Sequence, residues 1–237
     1  MTPPQPPPGF RPEISPLPGS SPRWPLGRPV RPPAPEPLPT GLEWGDWVRA
    51  RMFGQRTVFV SGALDDRVAG DAVAQLMTLD ATGDDAVELY LDSPGGSLEA
   101  AFSVMDTIDL LGVPVHTTCL GRAEGPAVGV LAVGERRRIA AHARLRLCEP
   151  KLEIAARAAD LGQVVAHHRS QLHRFQDRLA AASRKSADDI AEDMRAGRYL
   201  SASEAVAYGL ADEMMTPDAR IVSLGRSPRP FGFGPSR

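Results

Sequence analysis

Few side chains in this 237-residue chain could form or break a bond: two cysteines, five histidines, and serines and carboxylates whose spacing has to be weighed. The stretch "LGRAEGPAVGVLAVG", residues 120–134, has the texture of a turn entering an active-site helix, yet it offers no hydroxyl, thiol or amine to act as a nucleophile. Cys148, in "RLRLCEP", would be a nucleophile if a base lay near it. Its plainer reading, adopted here, is a small, buried, inert thiol. His142 precedes it by six residues on an extended segment, so a period of two allows a common face but puts the pair far apart along the strand. Glu124 could do acid–base work, but it reads as a solvated carboxylate or one at a helix start.

The remaining candidates are weaker still. His167, His168 and His173 fall on one helical segment at separations of one, five and six, and none of these is the i, i+4 spacing of helical metal sites. His116 sits in an apolar strand and reads as a satisfied structural histidine. Ser93 opens the turn "SPGGS", and Ser97 stands where hydroxyls cap helices. Cys119 and Cys148 show no metal-type spacing, so no metal or cofactor is implied.

These residues have to be positioned by the elements around them. "RTVFVSG", "AVELYLDS" and "VPVHTTCLG" are β-branched, apolar runs. Each is followed by a segment of helical period: "DDRVAGDAVAQLMTLDA", "LEAAFSVMDTIDLLG" stopping at Gly112, and the stretch after residue 120. "RRIAAHA" and "RLRLCEP" read as shorter strands, while Arg136, Arg137 and Arg138 are expected in a solvated turn. A long amphipathic segment over 154–183 follows, then "SADDIAEDMRAG" with Ser186 as N-cap. Such βα alternation predicts a parallel sheet with right-handed crossovers and ligands gathered where strands end and helices begin.

Composition sets the outer limits. With 42% hydrophobic and 24% charged residues the chain has material for one α/β domain. A net charge of −2 and a pI near 6.2 argue against a nucleic-acid partner. No apolar run approaches ~18 residues and no leader pattern opens the chain, so no membrane association and a reducing cytoplasm are expected. Residues 1–40 hold most of the 24 prolines and read as a disordered, partly polyproline II segment, alternatively as a ligand for proline-recognition modules. Residues 217–237 read as a second disordered tail, leaving 41–216 as the folded domain.

Three blocks in order, "VELYLDSPGGSLEAAFSVMDTI", "TTCLGRAEGPAVGVLAVG" and "GRYLSASEAVAYGLADEM", resemble the proteolytic subunit family of the Clp peptidase, ClpP, within the crotonase-like superfamily. The resemblance implies an α/β fold of repeated ββα-type units with a parallel sheet and a protruding long helix. It also implies an ATP-dependent serine endopeptidase with a Ser, a His and an Asp at three separate positions. Here those positions carry Gly125, Cys148 and Gly197. The implied oxyanion donors are the backbone N–H in the "PGG" turn, Gly95 and Gly96, and that of residue 126. Gly96 keeps its N–H, whereas Pro126 has none to give.

The resemblance further implies two stacked seven-membered rings, paralogous ClpP-type subunits, an AAA+ unfoldase, and peptide or unfolded protein as the ligand. Met77, Tyr90 and Leu110 fall at positions that in active relatives help form apolar docking pockets, although a core role would explain them equally. The segment "KLEIAARA", residues 151–158, lacks the family's glycines and puts ordinary ring stacking in question. The reading favoured by the sequence is a non-catalytic, structural or regulatory ClpP-like subunit. The alternatives are an active peptidase with a displaced site, using Cys148, and crotonase-like chemistry on an acyl thioester. Pro126 weighs against the second alternative, because that reaction also needs two oxyanion donors.

Overall fold

The structure, a computed structural model, describes residues 44–150, 157 and 159–215. The expected disorder of residues 1–40 and 217–237, and the stacking loop at 151–158 apart from Arg157, lie outside the described residues. The order of elements is α1 (Trp44–Phe53), β1 (Thr57–Ser61), α2 (Asp66–Ala81), β2 (Val87–Ser93), α3 (Leu98–Leu110), β3 (Val115–Glu124), α4 (Pro126–Ala132), β4 (Arg136–Ile139), β5 (Arg144–Arg146), α5 (Leu161–Ala182), α6 (Ala187–Ala196), β6 (Tyr199–Ser201), α7 (Ala202–Tyr208) and β7 (Glu213–Met214). The expectation of an α/β fold with a parallel sheet is met.

Strands β1, β2, β3, β4 and β7 lie side by side in that order, and each pairs in parallel with its neighbour. On one face Val58, Val60, Leu89, Leu91, Thr117, Cys119 and Ile139 are fully buried under α2, α3 and α4, and in the middle of the sheet Tyr90 and Thr118 are buried on the other. Asp65 caps α2 by accepting from the Val68 N–H at 2.8 Å, and Ser97 caps α3 by accepting from Ala100 at 3.0 Å. Ser97 is thus a cap, as expected. Helix α4 lies so close to its neighbours that a Cβ on Gly129 would run into Phe175 of α5 and Met105 of α3.

Helix α5 projects. Its buried residues are Phe175, Gln176 and Leu179, all in its C-terminal half, where Phe175 meets Phe102 of α3 edge-on at 6.3 Å. The helix as described begins at Leu161, with Asp160 at its N-cap, and the expected start near residue 154 lies outside the described residues. Ser186 does cap α6, in a reciprocal capping box with Asp189.

The arginine run is a correction. Arg136, Arg137 and Arg138 form β4 rather than a solvated turn, and each is bound. Arg137 pairs with Asp212 and donates to the carbonyls of Ala182 at 2.6 Å and Gly209 at 2.9 Å, tying α5 and α7 to the sheet. Arg138 pairs with Glu88, and Arg136 with Glu213 at 2.8 Å. Composition alone reads three consecutive arginines as surface; their partners come from residues 45 to 77 positions away. His116 is satisfied, as expected, with its Nδ1 3.0 Å from Glu88 Oε1. Elements α1, β6, α7 and β7 carried too few residues of clear period to be separated in the sequence.

Candidate functional site

Two glycine turns meet at the C-terminal ends of β2 and β3. In the first, Gly95 has φ +97°, and its N–H donates to the Ser93 hydroxyl at 3.2 Å, which makes Ser93 a buried turn residue. Leu64 N–H donates to the Gly95 carbonyl at 2.8 Å, and Ser97 N–H donates to the Leu64 carbonyl at 3.0 Å. Such a bridge consumes the backbone groups on either side of Gly96 and turns Gly96's own N–H and C=O to the opposite side. No backbone acceptor among the described residues takes that N–H. Glycine is compulsory here, because a Cβ at residue 96 would overlap the Leu64 carbonyl.

The second turn runs through Glu124, Gly125 and Pro126. Gly125 adopts φ +49°, ψ −123°, a region nearly closed to other residues, and Pro126 occupies the first helical position of α4. The Gly125 N–H is committed to the Arg146 carbonyl at 2.9 Å. The turns touch: a Cβ on Gly95 would stand 2.7 Å from the Glu124 carbonyl oxygen and 3.7 Å from Pro126 Cδ. A ligand in the angle between them would therefore meet one open donor, on Gly96, and on the other side a proline ring.

A short ladder brings the remaining residues to the same place. Strand β5 pairs in parallel with the end of β3, Glu124 against Arg146, and β6 pairs antiparallel with β5, Arg146 against Tyr199. Leu147 N–H donates to the Arg198 carbonyl at 2.8 Å and carries the second pairing one step further. In that register Cys148 stands opposite Gly197. A Cβ on Gly125 would lie 3.4 Å from Cys148 Sγ. The sequence-derived positions 125, 148 and 197 thus share the end of the ladder, although they come from three separate segments.

What fills this end is unlike the expectation. Glu124, read as a solvated or helix-start carboxylate, is the last residue of β3, and its side chain is buried. It is held by Arg144 at 3.4 Å and Arg146 at 3.7 Å. The Arg146 guanidinium lies 4.9 Å from the centre of the Tyr199 ring, a stacking distance, and its Nη2 would be 3.4 Å from a Cβ on Gly197. Gly197 itself is the left-handed C-cap of α6, at φ +69°. An acid at residue 197 would meet that guanidinium before it met any base.

Cys148 is half-buried, and burial pushes its thiol above the usual range, with Glu124 adding to the rise and Arg146 opposing it. A raised pKa leaves less thiolate, the nucleophilic form. Among the described residues no histidine bonds to it, and His142 lies in an exposed turn. Cys119, deeper in β3, is pushed up to about 12 by burial. No group of three or more His, Cys, Asp or Glu among the described residues is placed to hold a metal ion.

The three residues expected at docking pockets separate. Leu110 is 84% exposed and Met77 59%, both on the outer helices, whereas Tyr90 is 2% exposed in the middle of the sheet. The surface alternative for Tyr90 is corrected: β1 and β3 flank it, and its hydroxyl is pushed up in pKa chiefly by burial. The sequence reading passed over Arg122, Arg144, Arg146 and Tyr199. Their signal was present as a period of two: in "RLRLC" every second residue faces out, while Leu145 and Leu147 are buried.

The family model described as Clp protease matches residues 41–218. The chain is 30% identical to "ATP-dependent Clp protease proteolytic subunit 1" of Thermobifida fusca over 169 residues, covering 70% of this chain and 76% of that protein. It is 32% identical to "ATP-dependent Clp protease proteolytic subunit 4" of Streptomyces avermitilis, with the same coverage. It is 31% identical to "ATP-dependent Clp protease proteolytic subunit 3" of Rhodococcus jostii over 191 residues, covering 79% of this chain and 95% of that protein.

Proposed function

The chain belongs to the Clp protease family, and we propose that it serves there as a cytoplasmic subunit that receives peptide without cutting it. The observation that carries this reading is the end of the ladder, where Gly125, Cys148 and Gly197 stand together beside Pro126. A serine peptidase site needs a hydroxyl, a base within hydrogen-bond reach of it and an acid to orient the base. None of the three positions supplies its role, and Pro126 withholds a donor whose loss typically costs ~100-fold to 1000-fold in rate. The backbone frame around them is intact, with the Gly96 N–H open to an extended chain.

In this reading the subunit joins a ring with ClpP-type paralogues that carry Ser, His and Asp, and it modulates access or the docking of an AAA+ unfoldase. Met77 and Leu110 remain the exposed apolar residues suited to such docking. The test is co-purification of the tagged full chain from its native cell, followed by native mass spectrometry and a fluorogenic peptide assay on the homomeric protein. A mixed ring, with no hydrolysis by this chain alone, is expected. Hydrolysis abolished by Cys148→Ala would overturn the non-cutting role, and a solitary monomer or dimer would overturn ring membership.

A further inference from the structure

We propose that the outward face of the β3–β5–β6 ladder is a docking face for an acidic, extended peptide segment. The proposal rests on the reading that this cleft receives peptide, and it specifies which peptide. Ala123, Leu145 and Leu200 turn inward and are buried. The alternate residues lie on the opposite face in two rows set by the register, Arg122–Arg144–Ser201 and Glu124–Arg146–Tyr199, with Glu124 buried. Among the described residues three cations therefore share this end of the ladder with the Glu124 carboxylate, while Asp92, bonded to the Arg122 N–H, and Glu204, bonded to the Ser201 hydroxyl at 2.6 Å, stand at its margin.

The guanidinium donors on that face are largely unspent. The ion pairs to Glu124, at 3.4 and 3.7 Å, are longer than the ~2.7–2.9 Å of a charge-assisted hydrogen bond. Arg146 Nε is buried with no hydrogen-bond partner among the described residues, an arrangement that costs free energy unless a ligand satisfies it. The Tyr199 ring beneath Arg146 holds the guanidinium plane in place, and Tyr199 is itself more than half exposed. Arg122 makes no ion pair among the described residues; only its backbone N–H is engaged, with Asp92 Oδ1 at 3.1 Å.

Spacing selects the form of the ligand. Arg144 and Arg146 are two residues apart on one strand, roughly 7 Å, and the next strand lies ~4.8 Å away. An extended peptide with carboxylates at every second residue has the same ~7 Å repeat. Three arginines spread over two rows suit several side-chain carboxylates better than one terminal carboxylate.

The experiment measures binding of fluorescein-labelled, C-terminally amidated nonapeptides to the full chain by anisotropy. The peptide alternating Glu with Thr is expected to bind at least tenfold more tightly than its Gln–Thr counterpart, and to weaken about tenfold between low and physiological salt. Arg146→Gln and Arg122→Gln should each lower its affinity at least fivefold. Glu124→Gln, which removes the competing anion, should raise it, with circular dichroism confirming that each variant is folded. Equal binding of the Glu and Gln peptides would overturn the acidic preference while leaving peptide reception standing. Binding of neither would overturn both, and a neutral peptide with a free C-terminus matching the acidic one would reassign the face to a single terminal carboxylate.

Discussion

The two glycine turns of the cleft are a natural control for each other. The turn through Gly95 and Gly96 keeps its geometry and its outward donor, and its Cβ-free positions are dictated by backbone packing. The turn through Gly125 and Pro126 keeps only geometry: its N–H is spent inward on the Arg146 carbonyl, and the next residue has none. Packing constrains the first turn whatever the chemistry, because Leu64 runs against it. The second turn is constrained mainly by its own dihedral angles, and a Cβ there would make tight contacts without overlap, with the nearest atoms, both of Cys148, at 3.3 and 3.4 Å. Scaffold and chemistry can therefore be lost separately even where they touch.

The largest effect that separates the turns is on stability. Gly96→Ala forces a methyl into the Leu64 carbonyl and is expected to cost about 3 kcal/mol, about 9 °C in Tm for a domain of this size. Gly125→Ala meets tight contacts but no overlap and is strained chiefly through its positive φ, at about 2 kcal/mol. Thermal melts of the two variants by circular dichroism decide the matter. If Gly125→Ala proves the more damaging, the second turn is the packed one and the contrast is inverted.

A second prediction concerns rate. In a variant carrying Gly125→Ser, Cys148→His and Gly197→Asp, restoring a donor with Pro126→Ala should raise fluorogenic peptide hydrolysis by about 100-fold or more. Asp tolerates a left-handed conformation better than most residues, so residue 197 can accept it. Arg146 Nη2, however, would sit beside the new carboxylate, and Arg146→Gln should give a further gain by freeing that acid for the imidazole. A rate indifferent to residue 126 would mean that the second turn contributes no donor in any form.

How much of this was legible follows from the range of the forces involved. The strands β1, β2 and β3 and their helices announced themselves through local period, and Ser97 and Ser186 through cap chemistry with partners three residues on. Gly125, Cys148 and Gly197 could be located because flanking motifs held the register. The ladder that makes them neighbours could not, because β5 and β6 have three residues each and pair across more than fifty positions. The same distance hid the partners of Arg136, Arg137 and Arg138, and the burial of Glu124. Tyr90 looked like surface or core equally, since a central strand with polar neighbours has no local mark of which face is covered.

The smallest predicted effect sharpens the comparison at its most ambiguous atom, the Cys148 sulfur beside the second turn. If this turn had become a thiol active site, a base or a cation would hold the thiolate down, and alkylation would be fast at neutral pH. The surroundings act in the other direction: burial raises the pKa first, Glu124 adds to the rise, and Arg146 recovers only part of it. The sign is therefore that of a protected thiol. Its thiolate fraction stays low through the ordinary cysteine range near pH ~8.5, and its reactivity climbs only above that. Iodoacetamide followed by peptide mapping should find Cys148 slower than a free cysteine at pH 8, while Cys119, pushed up to about 12, should react only on unfolding. Arg146→Gln should slow Cys148 further, because it removes the larger of the two influences that oppose the shift, the other being the Gly125 backbone N–H. Faster alkylation in that variant would show that Arg146 shields the sulfur rather than polarising it, and would return Cys148 to the set of residues that could do chemistry.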